Sequence, residues 1–258
     1  AAGARPVVGY RRGWRRPLLD VAVPRPPGAG RRMWIARERH VLGLVEALGC
    51  PARGTHLELF TTPEEEAAAD AALGPDAQAA PLALLAPGAS FGPSKLWPAE
   101  SFAAVGDALA GAGARIAVIG SPGERPLVAR VVAAMRAPAR DLAGAVSLGG
   151  LKAVVRRARV LVCNDAGARH LAVAFGVPTV VLMGPTALEK TDMNLEQVKV
   201  LSADVACRPC YRRECPIDHR CMTRIAPETV AAAALPALAA DAARSWRGER
   251  LVAGGGAA

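Results

Sequence analysis

The chain has 258 residues, 52% of them hydrophobic, which is enough apolar surface to bury one large core or two modest ones, so it reads as globular. A net charge of +9 favours contact with polyanions such as nucleotides, lipid phosphates or nucleic acid, with a plain Arg-rich surface as the alternative. The longest apolar runs, such as Thr179 to Met183, are broken by Pro or Gly well short of the about 20 residues a bilayer span needs, and the basic residues before Pro17 are not followed by the apolar stretch of a secretory leader.

The sequence opens without Met on a predicted strand, Pro6 to Tyr10, and reads as N-terminally incomplete. An Arg-rich loop follows, then a predicted helix from about Trp34 to Leu48, the segment HLELF, and an acidic, Ala-rich stretch from Glu64 to Leu73. Residues 1–78 are expected to be the remnant of an N-terminal domain, with a linker near Gly74 to Pro81. Residues 79–258 form the second expected domain, with a Cys-rich tail at 207–221. Here the elements alternate. Strands are predicted at Pro81 to Ala86, Ala114 to Gly120, Val160 to Cys163 and Thr179 to Met183. Helices are predicted at Ala99 to Gly111, Pro126 to Met135, Leu148 to Ala158 and Leu171 to Phe175. Phe102, Val105 and Leu109 share one face of the first of these helices. This alternation predicts an α/β fold with a parallel sheet covered on both faces.

In such sheets ligands bind beyond the carboxyl ends of the strands. Gly88, Ser90 and Lys95 follow the first strand of this domain, Ser121 and Glu124 the second, and Asp165, Gly167 and His170 a later one, so all are expected to converge on one cleft. The segment LVCNDAGARHLAVA, Leu161 to Ala174, is the most specific: an apolar strand ends in Asn164 and Asp165, Ala166 and Gly167 form a small turn, and a helix opens with His170 on its first turn. Free backbone N–H groups and the positive helix end suit a phosphate-bearing ligand there. Gly88 and Gly92 would let the backbone approach such a ligand closely. Each side chain also has a plainer reading: Lys95 as a solvated loop residue, Glu124 as an acid at a helix start, Asp165 as an N-cap, His170 as packing on the first turn.

In the tail, Cys207, Cys210, Cys215, His219 and Cys221 are dense enough in soft ligands for a small structural zinc site, though their spacing matches no common zinc module. Reduced, partly buried thiols are the competing reading, and disulfides are disfavoured in a cytosolic protein. Cys163, inside an apolar strand, reads as core.

The segments PGASFGPSKLWP, VIGSPGE, DLAGAVSL and NDAGARHLAVAFGVPTVVLMGPT, in this order and spacing, resemble glycosyltransferase family 9, and within it the lipopolysaccharide heptosyltransferases of type II. VGYRRGWRRPLLD and CRPCYRRECPIDHRCM extend the resemblance towards both ends. It implies a GT-B fold, with a Rossmann-like C-terminal donor-binding domain and an N-terminal Rossmann-like domain that is incomplete here. It also implies inverting transfer of heptose from ADP-heptose to the lipopolysaccharide inner core, with no metal or other cofactor required for catalysis. The implied setting is cytoplasmic, with peripheral contact at the inner face of the cytoplasmic membrane. The acceptor is an anionic glycolipid, which Arg11, Arg12, Arg15, Arg16, Arg31 and Arg32 would face, and no nucleic acid is involved.

By the same resemblance Lys95 neutralises the diphosphate, Ser90 and Ser121 lie at its loops, and Glu124 accepts from ribose hydroxyls. Ser147 and Leu148 border the adenine, Asp165 holds sugar hydroxyls or caps the turn, Gly167 leaves room for the ligand, and His170 donates to phosphate. The sequence departs from the pattern at Ala166, where the family has Ser or Thr and so one more hydroxyl donor, and at Arg169, which replaces an apolar residue and could supply the missing contact. The family's catalytic base is expected upstream of residue 1, and Asp20 sits in the wrong unit to replace it, so donor binding without efficient transfer is expected. A non-catalytic nucleotide-sugar or polyanion binding module of the same fold is the second reading.

Overall fold

The computed structural model describes residues 6–11, 13–25, 35–75, 79–239 and 246–253. The chain divides into two compact units, Ala1–His56 with Ala187–Asn194, and Leu57–Thr186 with Leu195–Ala258. In the first unit β1 (Val8–Tyr10) pairs in parallel with β2 (Val21–Val23), Val8 opposite Val21. Helix α1 (Arg37–Glu46) covers them through Tyr10, whose ring stacks on His40 at 4.4 Å and whose hydroxyl donates to the His40 carbonyl at 2.9 Å. Asp20 accepts from the Val7 N–H at 2.8 Å, a structural duty. The sequence reading found only the first of these strands, because Val21–Val23 is a three-residue run closed by Pro24 and too short to show a period. Trp34, Arg12, Arg31 and Arg32 lie outside the described residues.

The second unit opens with α2 (Pro63–Leu73), started by a capping box in which Thr62 Oγ1 accepts from Glu65 N at 3.4 Å and Glu65 Oε2 accepts from Thr62 N at 3.0 Å. Then come β3 (Leu82–Ala86), α3 (Ala99–Gly111), β4 (Arg115–Val118), α4 (Arg125–Ala134), β5 (Ala139–Asp141), α5 (Leu148–Arg156), β6 (Val160–Asn164), α6 (Ala168–Ala174) and β7 (Thr179–Leu182). β8 (Val198–Ala203), α7 (Arg220–Thr223), α8 (Pro227–Ala234) and β9 (Glu249–Ala253) complete it. The strands make one parallel sheet in the order β5-β4-β3-β6-β7-β8-β9. Every residue of β3, β6 and β7 is buried, as the continuous apolar runs LALLA, VLVCN and TVVL require of strands covered on both faces. Phe102, Val105 and Leu109 of α3 are fully buried, and Trp97 meets Phe102 edge-on at 5.1 Å while its Nε1 donates to the Ile225 carbonyl at 3.0 Å.

The order of the strands explains where a ligand would go. From β3 the chain winds outward through β4 to β5, then returns through α5 to β6 on the other side of β3 and winds the opposite way. In parallel sheets ligands bind beyond the carboxyl ends of the strands at such a reversal, here between β3 and β6.

The division of the chain falls earlier than the sequence suggested. Helix α2 belongs with the second unit, because its acidic face meets a basic face at α5: Glu65 pairs with Lys152 (3.0 Å), Glu66 with Arg156 (3.1 Å) and Arg157 (2.8 Å), and Asp70 with Arg157 (2.6 Å). Ala69 and Leu73 are buried beneath them. Removing the cap tests how that seat is made: Thr62→Ala should lower the unfolding free energy by about 1 kcal/mol in a urea titration with an unchanged slope. A change within a few tenths of a kcal/mol would mean that the ion pairs hold α2 without its cap.

Candidate functional site

Lys95, carried on the loop after β3, and Asp165, at the end of β6, meet across the strand-order reversal. Lys95 Nζ donates to Asp165 Oδ2 at 2.5 Å and to the Asp165 carbonyl at 2.8 Å, and the two side chains are 11% and 9% exposed. Thr186, just beyond β7, donates its hydroxyl to the same Oδ2 at 2.8 Å. Arg169, in the first turn of α6, lies 3.4 Å from Asp165 Oδ1 and is 1% exposed. Burial alone would push the Asp165 carboxyl up, but the Lys95 ammonium, the hydrogen bonds from Lys95 and Thr186, and the Arg169 guanidinium together hold it below the usual carboxylate value. Lys95 and Arg169 thus both contact the one buried carboxylate, and Arg169 is an interior residue, not a surface arginine.

Asn164 fixes the frame around this pair. Its Nδ2 donates to the Pro87 carbonyl at 2.7 Å and its Oδ1 accepts from Trp97 N at 3.3 Å, so one fully buried amide ties both ends of the Lys95 loop to the end of β6. A second group forms after β4. Glu124 Oε2 accepts from Ser121 N at 2.7 Å and from Ser121 Oγ at 2.8 Å as part of a capping box at a helix start. Gly88 approaches so closely that a Cβ there would collide with the Glu124 carboxylate, which brings the loops after β3 and β4 together.

The remaining sequence candidates are less tightly built in. Ser147 caps α5 by accepting from Gly150 N at 3.2 Å, Leu148 is 71% exposed, and no hydrogen bond or ion pair among the described residues joins them to the other candidates. Ser90 is exposed, while Ala166 and His170 are half-buried, His170 N donating to the Gly167 carbonyl at 3.0 Å. A Cβ on Gly167 would meet no protein atom, so this turn opens onto free space. Thr186 was missed as a site residue; its signal was the polar residue directly after Gly-Pro at a strand's carboxyl end.

The tail does not gather its soft side chains into the metal site that was one of two readings of the sequence. Among the described residues no three His, Cys, Asp or Glu side chains are gathered so as to hold a metal ion, and Cys207, Cys210, Cys215 and Cys221 are free thiols. His219 is committed elsewhere: its ring Nε2 lies 2.7 Å from the Ser94 carbonyl and its backbone N–H points at Cys215 Sγ at 3.2 Å. Burial, aided by the neighbouring cysteines, pushes the Cys221 thiol up to about 11, and burial pushes that of Cys163 up to about 12. The competing reading, reduced and partly buried thiols, describes what the structure holds.

Comparison with known proteins agrees with this architecture. The family model for glycosyltransferase family 9 (heptosyltransferase) matches residues 1–220. Lipooligosaccharide heptosyltransferase 2 of Campylobacter jejuni is 29% identical over 151 residues, 57% of this chain and 47% of that protein, so the chain spans about half the length of this relative. Among solved structures, ADP-heptose lipopolysaccharide heptosyltransferase II of Escherichia coli superposes with a TM-score of 0.59 at 23% identity, over 68% of this chain and 51% of that one. A family 9 glycosyltransferase from Veillonella parvula does so with a TM-score of 0.64 at 24% identity, over 72% and 52%. These likenesses extend to the fold, a Rossmann-like unit of the GT-B type, and together with the family match they establish that the chain belongs to glycosyltransferase family 9.

Proposed function

We propose that this chain provides the donor-binding half of a heptosyltransferase of lipopolysaccharide core synthesis, taking ADP-heptose and transferring its heptose with inversion. The observation that carries this reading is the Lys95 ammonium held by the buried Asp165 carboxylate at the strand-order reversal, beside the open turn at Gly167. Lys95 spends two of its three ammonium hydrogens on Asp165, leaving the third for a phosphate oxygen. When the bond from the sugar to ADP breaks, negative charge grows on the diphosphate, and a fixed cation stabilises it without solvent reorganisation. Arg169 and Thr186 keep the Asp165 carboxylate satisfied while Lys95 leans towards the ligand. The open space at Gly167 supports a close approach there, and Gly88, Ser90, Ser121 and Glu124 line the neighbouring strand ends, with Ser147 and Leu148 further along the same edge.

The carboxylates at this site are already engaged, Asp165 by its cations and Glu124 by Ser121, so the base that accepts the acceptor's proton is assigned to neither. The acceptor is read as an anionic glycolipid at the cytoplasmic face of the membrane. Arg11, Arg15 and Arg16 are exposed in the first unit beside Trp14 (77% exposed) and Leu18 (62%), a pairing of basic and apolar groups suited to an anionic lipid surface, where each Arg contributes about 1 kcal/mol. No helix among the described residues is long and apolar enough to cross a membrane.

Calorimetry with ADP, UDP and GDP tests the donor directly: ADP is expected to bind in preference to the others, and failure to bind any nucleoside diphosphate would sink the reading. Lys95→Ala should weaken ADP by about tenfold or more, as loss of a bond to a charged group does. Restoring the hydroxyl with Ala166→Ser should tighten ADP by about tenfold, and no gain would show that the ligand does not reach this turn. Asp165→Asn removes the counter-charge of the buried Lys95 ammonium and should cost about 3 kcal/mol of stability. Because the folded carboxyl titrates below its ordinary value, its contribution is complete above about pH 4 and is lost as pH falls from there through the folded value; denaturant titrations across that acid window should show the slope in the parent chain and a flatter profile in Asp165→Asn.

A further inference from the structure

We infer that the Cys-bearing segment, residues 207–221, is a brace that sets the position of Lys95, and that His219 is the positioning residue through which it acts on the Lys95 loop. Ser94, the residue before Lys95, is 3% exposed, and all three of its polar groups are bonded to this one segment. Its N–H donates to the Arg213 carbonyl at 3.0 Å, its hydroxyl donates to the Arg212 carbonyl at 2.6 Å, and its carbonyl lies 2.7 Å from His219 Nε2, which must carry the proton to serve it. Two residues earlier, Gly92 has φ +148°, and a Cβ there would stand 2.7 Å from the Arg213 carbonyl oxygen, so only glycine lets the two backbones meet.

The same segment grips the other wall of the site. Cys210 N and Tyr211 N both donate to the Pro185 carbonyl, at 3.1 and 3.0 Å, and Arg208 reaches the Gly184 carbonyl through Nε at 2.6 Å and the Ala203 carbonyl through Nη1 at 2.9 Å. Pro185 precedes Thr186, the hydroxyl donor to Asp165. One stretch of chain therefore holds both the loop that presents Lys95 and the loop that steadies its counter-ion. His219 is the informative link because it is itself pinned: it sits at φ +58°, its backbone N–H is directed at Cys215 Sγ, and its ring reaches across to the Ser94 carbonyl. A buried carbonyl that loses such a donor is left unsatisfied, and the strain falls one bond away from Lys95.

The effect on ligand rests on the donor reading above, so the test has a readout that does not. In the full 258-residue chain, His219→Ala should speed hydrogen exchange at the Ser94, Lys95 and Leu96 amides by about tenfold and weaken ADP by about fivefold. His219→Gln, whose amide can donate to the same carbonyl, should restore most of both. In a Lys95→Ala background the His219→Ala change should have no further effect on ADP affinity, while its effect on exchange persists. Should His219→Ala not fold, Ser94→Ala removes only the hydroxyl bond to Arg212 and serves the same comparison. Unchanged loop exchange in a folded His219→Ala chain, or an equal loss with Gln and with Ala, overturns the brace. Faster loop exchange in a parent chain that binds no ADP upholds the brace and overturns the donor reading instead.

Discussion

The Lys95–Asp165 ion pair is the contact on which the site depends. Its two residues are 70 positions apart and reach one another only because the strands that carry them, β3 and β6, are neighbours at the point where the winding of the sheet reverses. At roughly 10% exposure each, the partners are shielded enough that neither charge is tolerable alone, so the pair constrains both loops at once. Asn164 repeats the constraint in neutral form, since its amide bonds both ends of the same loop. The result is a strand end tied to the Lys95 loop by one charged and one neutral contact.

Much of the frame was legible in the sequence, and the reason is burial. Strands β3, β6 and β7 are covered on both faces and so read as unbroken apolar runs, while α3 shows its inward stripe at helical spacing. The strands that escaped notice lie away from that centre. β2 and β5 are three residues each, and β5 is an edge with no buried residue. In β8 the apolar pattern is interrupted by Lys199, whose aliphatic stem and ammonium lie over the Trp246 ring at 4.1 Å, so a charged residue occupies what is in effect an aromatic-covered position. Helix α2 was placed with the wrong unit because its allegiance is set by ion pairs to a helix some 90 positions later, which no local pattern records.

The site was legible in residue type and illegible in pairing. Lys95, Asp165 and Glu124 were identifiable as polar residues at strand ends, but whether each faces a ligand or a neighbour depends on contacts between loops. Glu124 bonds Ser121 in a capping box and Arg169 contacts Asp165. The tail shows the same limit: five soft side chains in 15 residues suggested a metal, whereas the fold uses His219 to reach a carbonyl on another loop.

The doubly bonded state of Lys95 has a consequence for exchange at the site. Asp165 already occupies the position of a counter-ion, so on the proposed donor reading an arriving anion would not meet a bare ammonium but would substitute for part of an existing partnership. Net affinity is then the difference between two similar attractions instead of the full strength of one. On the donor reading proposed above, Lys95 returns to Asp165 when the anion departs, so its charge is not left stranded. A built-in understudy of this kind would keep the grip moderate and the way out as easy as the way in.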